Sequence, residues 1–229
     1  MKRAAAFLLL ILSPTLNAGP ADECLRNALY VEGEHCVGSA VAIKHKGQVY
    51  YLTAAHVVAD NCEPRTLPFV DMFGRTHNIP DPRPRPMRCR GRDGAMHDAA
   101  IVWYSASWKD GGPDLALLKP ARDYNLPGAE LLAGEPELGE TAWFCGSGGA
   151  IPFVLEKTIV SLVDDRFLSV NGCGWYGHSG SGVFVERKGK LYLAGIVCHF
   201  MQHPGDNPRV PVECERQLRK FLDTYPGEK

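Results

Sequence analysis

The stretch Gly177-His178-Ser179-Gly180-Ser181-Gly182 limits what this chain can fold into more than any other. Glycine at this density marks a backbone that turns sharply or approaches another group closely. The flanks, Leu162–Val170 and Val183–Val185, carry the β-branched and apolar residues that suit strands. A tight connection between two strands is therefore expected. By itself that is an ordinary Gly/Ser loop. It gains chemical meaning only if Ser179 has a base, because a serine hydroxyl is a weak nucleophile at neutral pH. Backbone N–H groups beside such a serine can then face a reacting carbonyl.

The rest of the chain has the same strand-and-turn character. Val37–His45 and Gln48–Thr53 flank the turn Lys46-Gly47 and read as a hairpin. Leu67–Phe73, Ala99–Tyr104, Leu115–Leu118, Thr141–Phe144, Ile151–Val163, Arg166–Val170, Gly182–Val185 and Lys190–Val197 are further strand candidates. Short strands at this spacing indicate a sandwich or a barrel, and 24 glycines with 17 prolines supply the turns. Pro127-Gly128 and Gly134 place a boundary between two halves near 125–135. Residues 19–36 read as polar and irregular, with a helical turn at Asp22–Leu29, and Ala54–Ala59 reads as a single helical turn. In Val212–Tyr225, Cys214, Leu218, Phe221, Leu222 and Tyr225 recur at helical intervals, so the chain is expected to end in an amphipathic helix. From Pro80 to Arg92, four prolines are interspersed with five arginines, Arg83, Arg85, Arg88, Arg90 and Arg92. That segment is expected to be irregular. It is either a solvated loop, a docking patch for an acidic partner, or a site of proteolytic nicking.

Residues 1–18 read as a secretory signal peptide. Lys2-Arg3 is followed by the apolar run Ala4–Leu12 and the small-residue exit Leu16-Asn17-Ala18, with cleavage expected after Ala18. The apolar run is too short to span a bilayer, and no later stretch is long enough. The mature part, 19–229, is thus expected outside the cytoplasm, secreted or periplasmic, with no membrane partner once the leader is removed. All 8 cysteines fall in it, which reads as a disulfide framework. No two are close enough for a Cys-x-x-Cys zinc site. A formal net charge of −1 gives no reason to expect nucleic acid as a partner.

The base and acid that Ser179 requires have candidates. His56 lies in Leu52-Thr53-Ala54-Ala55-His56-Val57-Val58, and Asp114 precedes the apolar run Leu115-Ala116-Leu117-Leu118. Either residue alone reads as a core histidine or a turn-capping acid. Together they give the order His, Asp, Ser. Asp98, in His97-Asp98-Ala99-Ala100-Ile101, is the alternative acid, and Ser181 the rival nucleophile.

Thr53-Ala54-Ala55-His56, Asp114-Leu115-Ala116-Leu117-Leu118 and Gly177–Gly182 resemble the three signatures of trypsin-like, chymotrypsin-fold serine endopeptidases. The Gly-x-Ser-Gly-Ser form, with Ser181, is nearer to bacterial glutamyl endopeptidases and their relatives than to animal trypsins. The resemblance runs from Cys36 to the terminal helix. It implies an all-β fold of two packed six-stranded antiparallel barrels with the site between them. It implies that Ser179 attacks the scissile bond, His56 moves the proton, and Asp114 holds the imidazole. The N–H groups of Gly177 and Ser179 would form an oxyanion hole. No metal or organic cofactor is implied. The partner would be a protein or peptide substrate, with a monomer as the default state. The alternative is a catalytically inactive relative that binds a protein partner.

Two departures matter. Animal trypsins carry an acid before the nucleophile, which pairs with a newly cut N-terminus; here that place holds His178, so activity without such a cut is expected. No Asp or Glu occurs from Arg166 to His178, which removes the reason to expect cleavage after Lys or Arg. The matching positions place Cys173, Gly174, Tyr176, Val197 and His199 around the specificity pocket. They favour an apolar or small side chain over an acidic one. Relatives suggest a bridge of Cys36 with Cys62 around the base, and Cys173 with Cys198, which flank the pocket in this alignment, is a second candidate; the partners of Cys24, Cys89, Cys145 and Cys214 stay open.

Overall fold

The computed structural model describes residues 19–147 except 82, 153–198 except 166 and 173–175, and 209–226. The expected leader, 1–18, lies outside the described residues, as do the pocket candidates Cys173, Gly174 and His199.

Short strands dominate because β-branched and aromatic residues alternate between frequent turns. The helix α1 (Pro20–Asn27) leads into β1 (Ala28–Glu32), β2 (Val37–His45) and β3 (Gln48–Thr53), followed by α2 (Ala55–Cys62). Next come β4 (Arg65–Val70), β5 (Thr76–Asp81), β6 (Met87–Arg90), β7 (Met96–Tyr104), a 3-10 turn (Ala106–Asp110) and β8 (Ala116–Pro120). After a connection come β9 (Thr141–Gly146), β10 (Val154–Val163), β11 (Phe167–Asn171), β12 (Gly182–Arg187), β13 (Lys190–Val197), β14 (Arg209–Cys214) and α3 (Glu215–Thr224).

These strands close into two six-stranded antiparallel barrels, in the order β1-β2-β3-β8-β7-β6 and β10-β11-β14-β13-β12-β9. Closure leaves no free edge in either. The β2–β3 hairpin turns on Lys46 (φ 48°) and Gly47 (φ 81°), the left-handed pair that matches strand twist. Three barrel strands, β1, β6 and β14, have no clear sequence signal, and β6 falls within the proline-arginine segment expected to be irregular. β1 is wedged between β2 and β6, and β14 between β11 and β13. Each is short and closes its barrel through a partner distant in sequence, β1 with β6 and β14 with β11. The expected terminal helix starts later than its periodicity suggests, because Val212 and Cys214 belong to β14.

Apolar burial falls into three clusters. One fills the first barrel with Leu29, Val31, Tyr51, Met87 and Leu118. One fills the second with Phe144, Leu168, Val183 and Val197. The third lies between them and joins Ile43, Leu52 and Leu117 to Phe184, Leu193 and Ile196. Leu218, Phe221 and Leu222 of α3 pack into that same cluster. The terminal helix thus adds its apolar stripe to the cluster that joins the two barrels.

The proline-arginine segment is more ordered than its composition suggests. Pro80 is the penultimate residue of β5, which among the described residues pairs with β4 alone, so it sits in a two-stranded sheet where a missing N–H costs little. Arg83 pairs with Asp81, Arg85 with Glu34, Arg88 with Glu32 and Arg92 with Asp22. Its positive charge is largely met within the chain. The β4–β5 hairpin instead shows solvent an apolar tip, Met72 and Phe73.

Candidate active site

His56 is the second residue of α2. At that position the backbone N–H has no acceptor within the helix. Ala54, the cap residue, supplies no side-chain acceptor. The carboxylate of Asp114 does: Oδ1 accepts the His56 N–H at 2.9 Å, and Oδ2 lies 2.7 Å from Nδ1 of the same residue. One carboxylate therefore caps the helix and orients the ring. A negative group is also favoured there by the helix dipole. Asp114 is 5% exposed, whereas the His56 side chain keeps 28% exposure. The acid is held dry and the imidazole edge can be reached. Trp108, on the 3-10 turn, sits 5.8 Å from the His56 ring, a neighbour that no sequence pattern pointed to. Asp98 stands on the exposed face of β7, so Asp114 is the acid beside His56.

Asp114 is also tied to the other barrel. Its N–H donates to Glu213 Oε1 at 2.9 Å, from the end of β14.

Ser179 lies in the β11–β12 connection, at the seam. Its carbonyl accepts the N–H of Ser39, in β2, at 2.7 Å. A Cβ added at Gly38 would meet Val57 Cγ1 at 2.8 Å and that same Ser179 oxygen at 3.0 Å. The residue after His56 and the Ser179 loop thus crowd one point, and only glycine leaves room. Gly177 (φ 91°) and Gly180 (φ 89°) both take left-handed conformations. The loop is pinned by Gly180 N–H to Val197 O at 2.7 Å, Ser181 N–H to His178 O at 2.9 Å and Val197 N–H to Ser181 O at 2.9 Å. Among the described residues, the N–H groups of Gly177 and Ser179 meet no protein acceptor. Two open donors beside a hydroxyl can receive a developing negative oxygen. Ser181, by contrast, is wholly buried.

The loop tolerates no added bulk. A Cβ at Gly180 would lie 1.9 Å from Ser39 O and 2.4 Å from Thr53 Oγ1, at a φ that disfavours side chains. Gly180→Ala is expected to destabilise the fold by about 3 kcal/mol or more, from strain and overpacking together. Thermal melting checks this, and a melt unchanged from wild type would refute it.

His178 is buried against the edge of the Phe144 ring, 4.8 Å away. Burial pushes its pKa below the usual histidine value, and burial does the same to His45 and His97. The unfolded chain then binds protons that the folded one refuses. Stability is complete above about pH 6.5 and falls as pH drops from there toward the depressed values. Melting at pH 7.5 and 5.5 should show this loss, and His178→Gln should show less of it. Each kcal/mol lowers Tm by about 2–4 °C for a chain of this size. A wild-type Tm equal at both pH values would refute the expectation.

The remaining candidates fall as follows. Val197 packs within the second barrel's core, and Tyr176 is 85% exposed. The expected Cys36–Cys62 bridge is not formed in this structure. Cys36 instead donates its thiol proton to Val57 O at 2.7 Å. Both thiols are pushed up to about 11, chiefly by burial. The Cys173–Cys198 pairing lies outside the described residues, since Cys173 is not among them.

A family model described as a trypsin-like peptidase domain matches residues 38–195, which include His56, Asp114 and Ser179. A search of curated protein sequences gives no match. Solved structures share the fold. A serine endoprotease from Yersinia pestis superposes with a TM-score of 0.65 at 19% identity, covering 89% of this chain and 64% of that one. The chain therefore spans less than two thirds of that protein's length. The protease Rv3671c in an inactive form gives a TM-score of 0.62 at 15% identity, covering 89% of this chain and 91% of that one. A serine-to-alanine mutant of Rv3671c from M. tuberculosis H37Rv gives 0.63 at 17% identity, covering 94% and 96%. At these identities the likeness concerns the fold.

Proposed function

The chain belongs to the trypsin-like peptidase domain family, and from that premise we propose that it is a serine endopeptidase acting through His56, Asp114 and Ser179. The observation that carries this reading is the His56–Asp114 pair at 2.7 Å, set at the seam beside a serine loop with two open amides. In this reading Ser179 Oγ attacks the scissile carbonyl while His56 Nε2 takes its proton. Asp114 keeps the Nδ1 proton in place and stabilises the imidazolium. The tetrahedral oxygen receives the N–H groups of Gly177 and Ser179. His56 then gives its proton to the leaving amine, and water repeats the sequence on the acyl-enzyme.

The finer readings rest on sequence. The leader 1–18 would export the chain. The Ser179-Gly180-Ser181 form supports kinship with the glutamyl-endopeptidase branch. The absence of acid between Arg166 and His178 supports cleavage after apolar or small side chains. The buried imidazole of His178, where trypsins place a carboxylate, supports activity without a trypsin-style N-terminal cut.

A fluorophosphonate probe with intact-mass detection tests the core of this reading. One adduct, mapped to Ser179, with concurrent cleavage of an unfolded protein substrate, is expected. A folded chain that neither labels nor cleaves would overturn it.

A further inference from the structure

Ser39 lies in β2 of the first barrel and is wholly buried. Its polar atoms are engaged across the seam. The N–H donates to Ser179 O at 2.7 Å. The carbonyl accepts the Thr53 hydroxyl at 2.6 Å, from the end of the strand that leads to His56. The side chain does something the backbone does not. Oγ accepts the N–H of Ser147 at 2.8 Å and lies 2.8 Å from Gly177 O, with Ser147 O farther away at 3.3 Å. A hydroxyl has one proton, and the shorter contact assigns it to Gly177. One buried hydroxyl of the first barrel thereby joins two loops of the second, after β9 and before β12.

The Gly177 carbonyl belongs to the peptide that follows the Gly177 amide. Glycine at φ 91° has little intrinsic preference to stay there. Holding its oxygen fixes that peptide plane, and with it the angle between the two open N–H groups of Gly177 and Ser179. We propose that the Ser39 hydroxyl is a positioning residue for this amide pair, setting from the opposite barrel the site that receives the oxyanion. The proposal rests on the peptidase reading for its catalytic consequence, but not for the tether itself. Ser39 touches no reacting atom; it acts through Gly177. The value of such donors depends on their being fixed before charge develops.

Two variants test it. Ser39→Ala removes the hydroxyl, and Ser39→Cys replaces it with a weak donor of similar size that preserves packing. Both are expected to lower kcat on a peptide substrate by about 10- to 100-fold, below the full loss of one oxyanion donor. KM should stay within about twofold, because ground-state binding uses other contacts. Amide hydrogen exchange, read by mass spectrometry, should accelerate locally at 177–181 and near 147. Unchanged kcat and exchange in both variants would overturn the proposal. So would faster exchange spread over both barrels, which would make Ser39 a plain core contact. The exchange readout needs no turnover. A wild-type chain that never hydrolyses but shows the local effect would sink the peptidase reading and keep the tether.

Discussion

Ser179→Ala is expected to abolish fluorophosphonate labelling and to lower kcat by about a million-fold, leaving the melting temperature nearly unchanged. Its hydroxyl is the bond-forming atom in the proposed reaction, so nothing substitutes for it. Ser181 cannot serve, being wholly buried against the strand β9. His56→Ala should cost a similar factor, because nucleophile and base act as a unit and their losses do not add. Residual cleavage above water would come from the amides of Gly177 and Ser179. Labelling that persists in Ser179→Ala, or a His56→Ala variant within tenfold of wild type, would refute the assignment. A chain that folds and never labels would instead favour a binding relative that has lost its chemistry.

The second large effect concerns the acid. Asp114→Asn should lower kcat by about ten-thousand-fold, while Asp98→Asn should stay within about twofold. The reason is in the two contacts of the carboxylate. Oδ1 accepts the His56 backbone N–H and Oδ2 faces Nδ1. Asparagine keeps only one acceptor. If that oxygen stays on the backbone N–H, its NH2 group faces Nδ1, and Nδ1 must then be unprotonated. The proton moves to Nε2, where the ring can no longer act as a base toward Ser179. Fold and labelling geometry survive; the tautomer is wrong. Measured kcat for both variants decides between the acids, and the reverse result would require a rearranged site.

The features legible in the sequence are the local ones. The Lys46-Gly47 turn, the strands around it and the glycine-bounded serine loop are set by residues within a few positions of one another. Hence most strands of the two barrels could be read, but not β1, β6 or β14: β1 and β6 pair with each other and β14 pairs with β11, far apart in the chain. The same limit applies to the proline-arginine segment. Its composition reads as a free basic patch, yet Asp22, Glu32 and Glu34, far upstream, meet much of its charge. It applies again at Cys36, whose proton goes to the Val57 carbonyl.

The sequence alone determined the residue types available for chemistry and their order, His56, Asp114, Ser179, together with the glycines that let a serine loop turn. The resemblance favours Asp114 and keeps Asp98 as the alternative, because each is an acid before an apolar run. Only the tertiary structure shows which of them stands beside His56. Asp114 lies where a helix N–H and an imidazole need one acceptor, 58 residues away in the chain. Nor could any local pattern single out Ser39, one serine among the small residues of a strand. Its hydrogen-bond partners sit 108 and 138 residues downstream. Hydrogen bonds act over about 3 Å, and which groups come within that range is fixed by barrel closure and by the packing of the seam, not by neighbours in sequence.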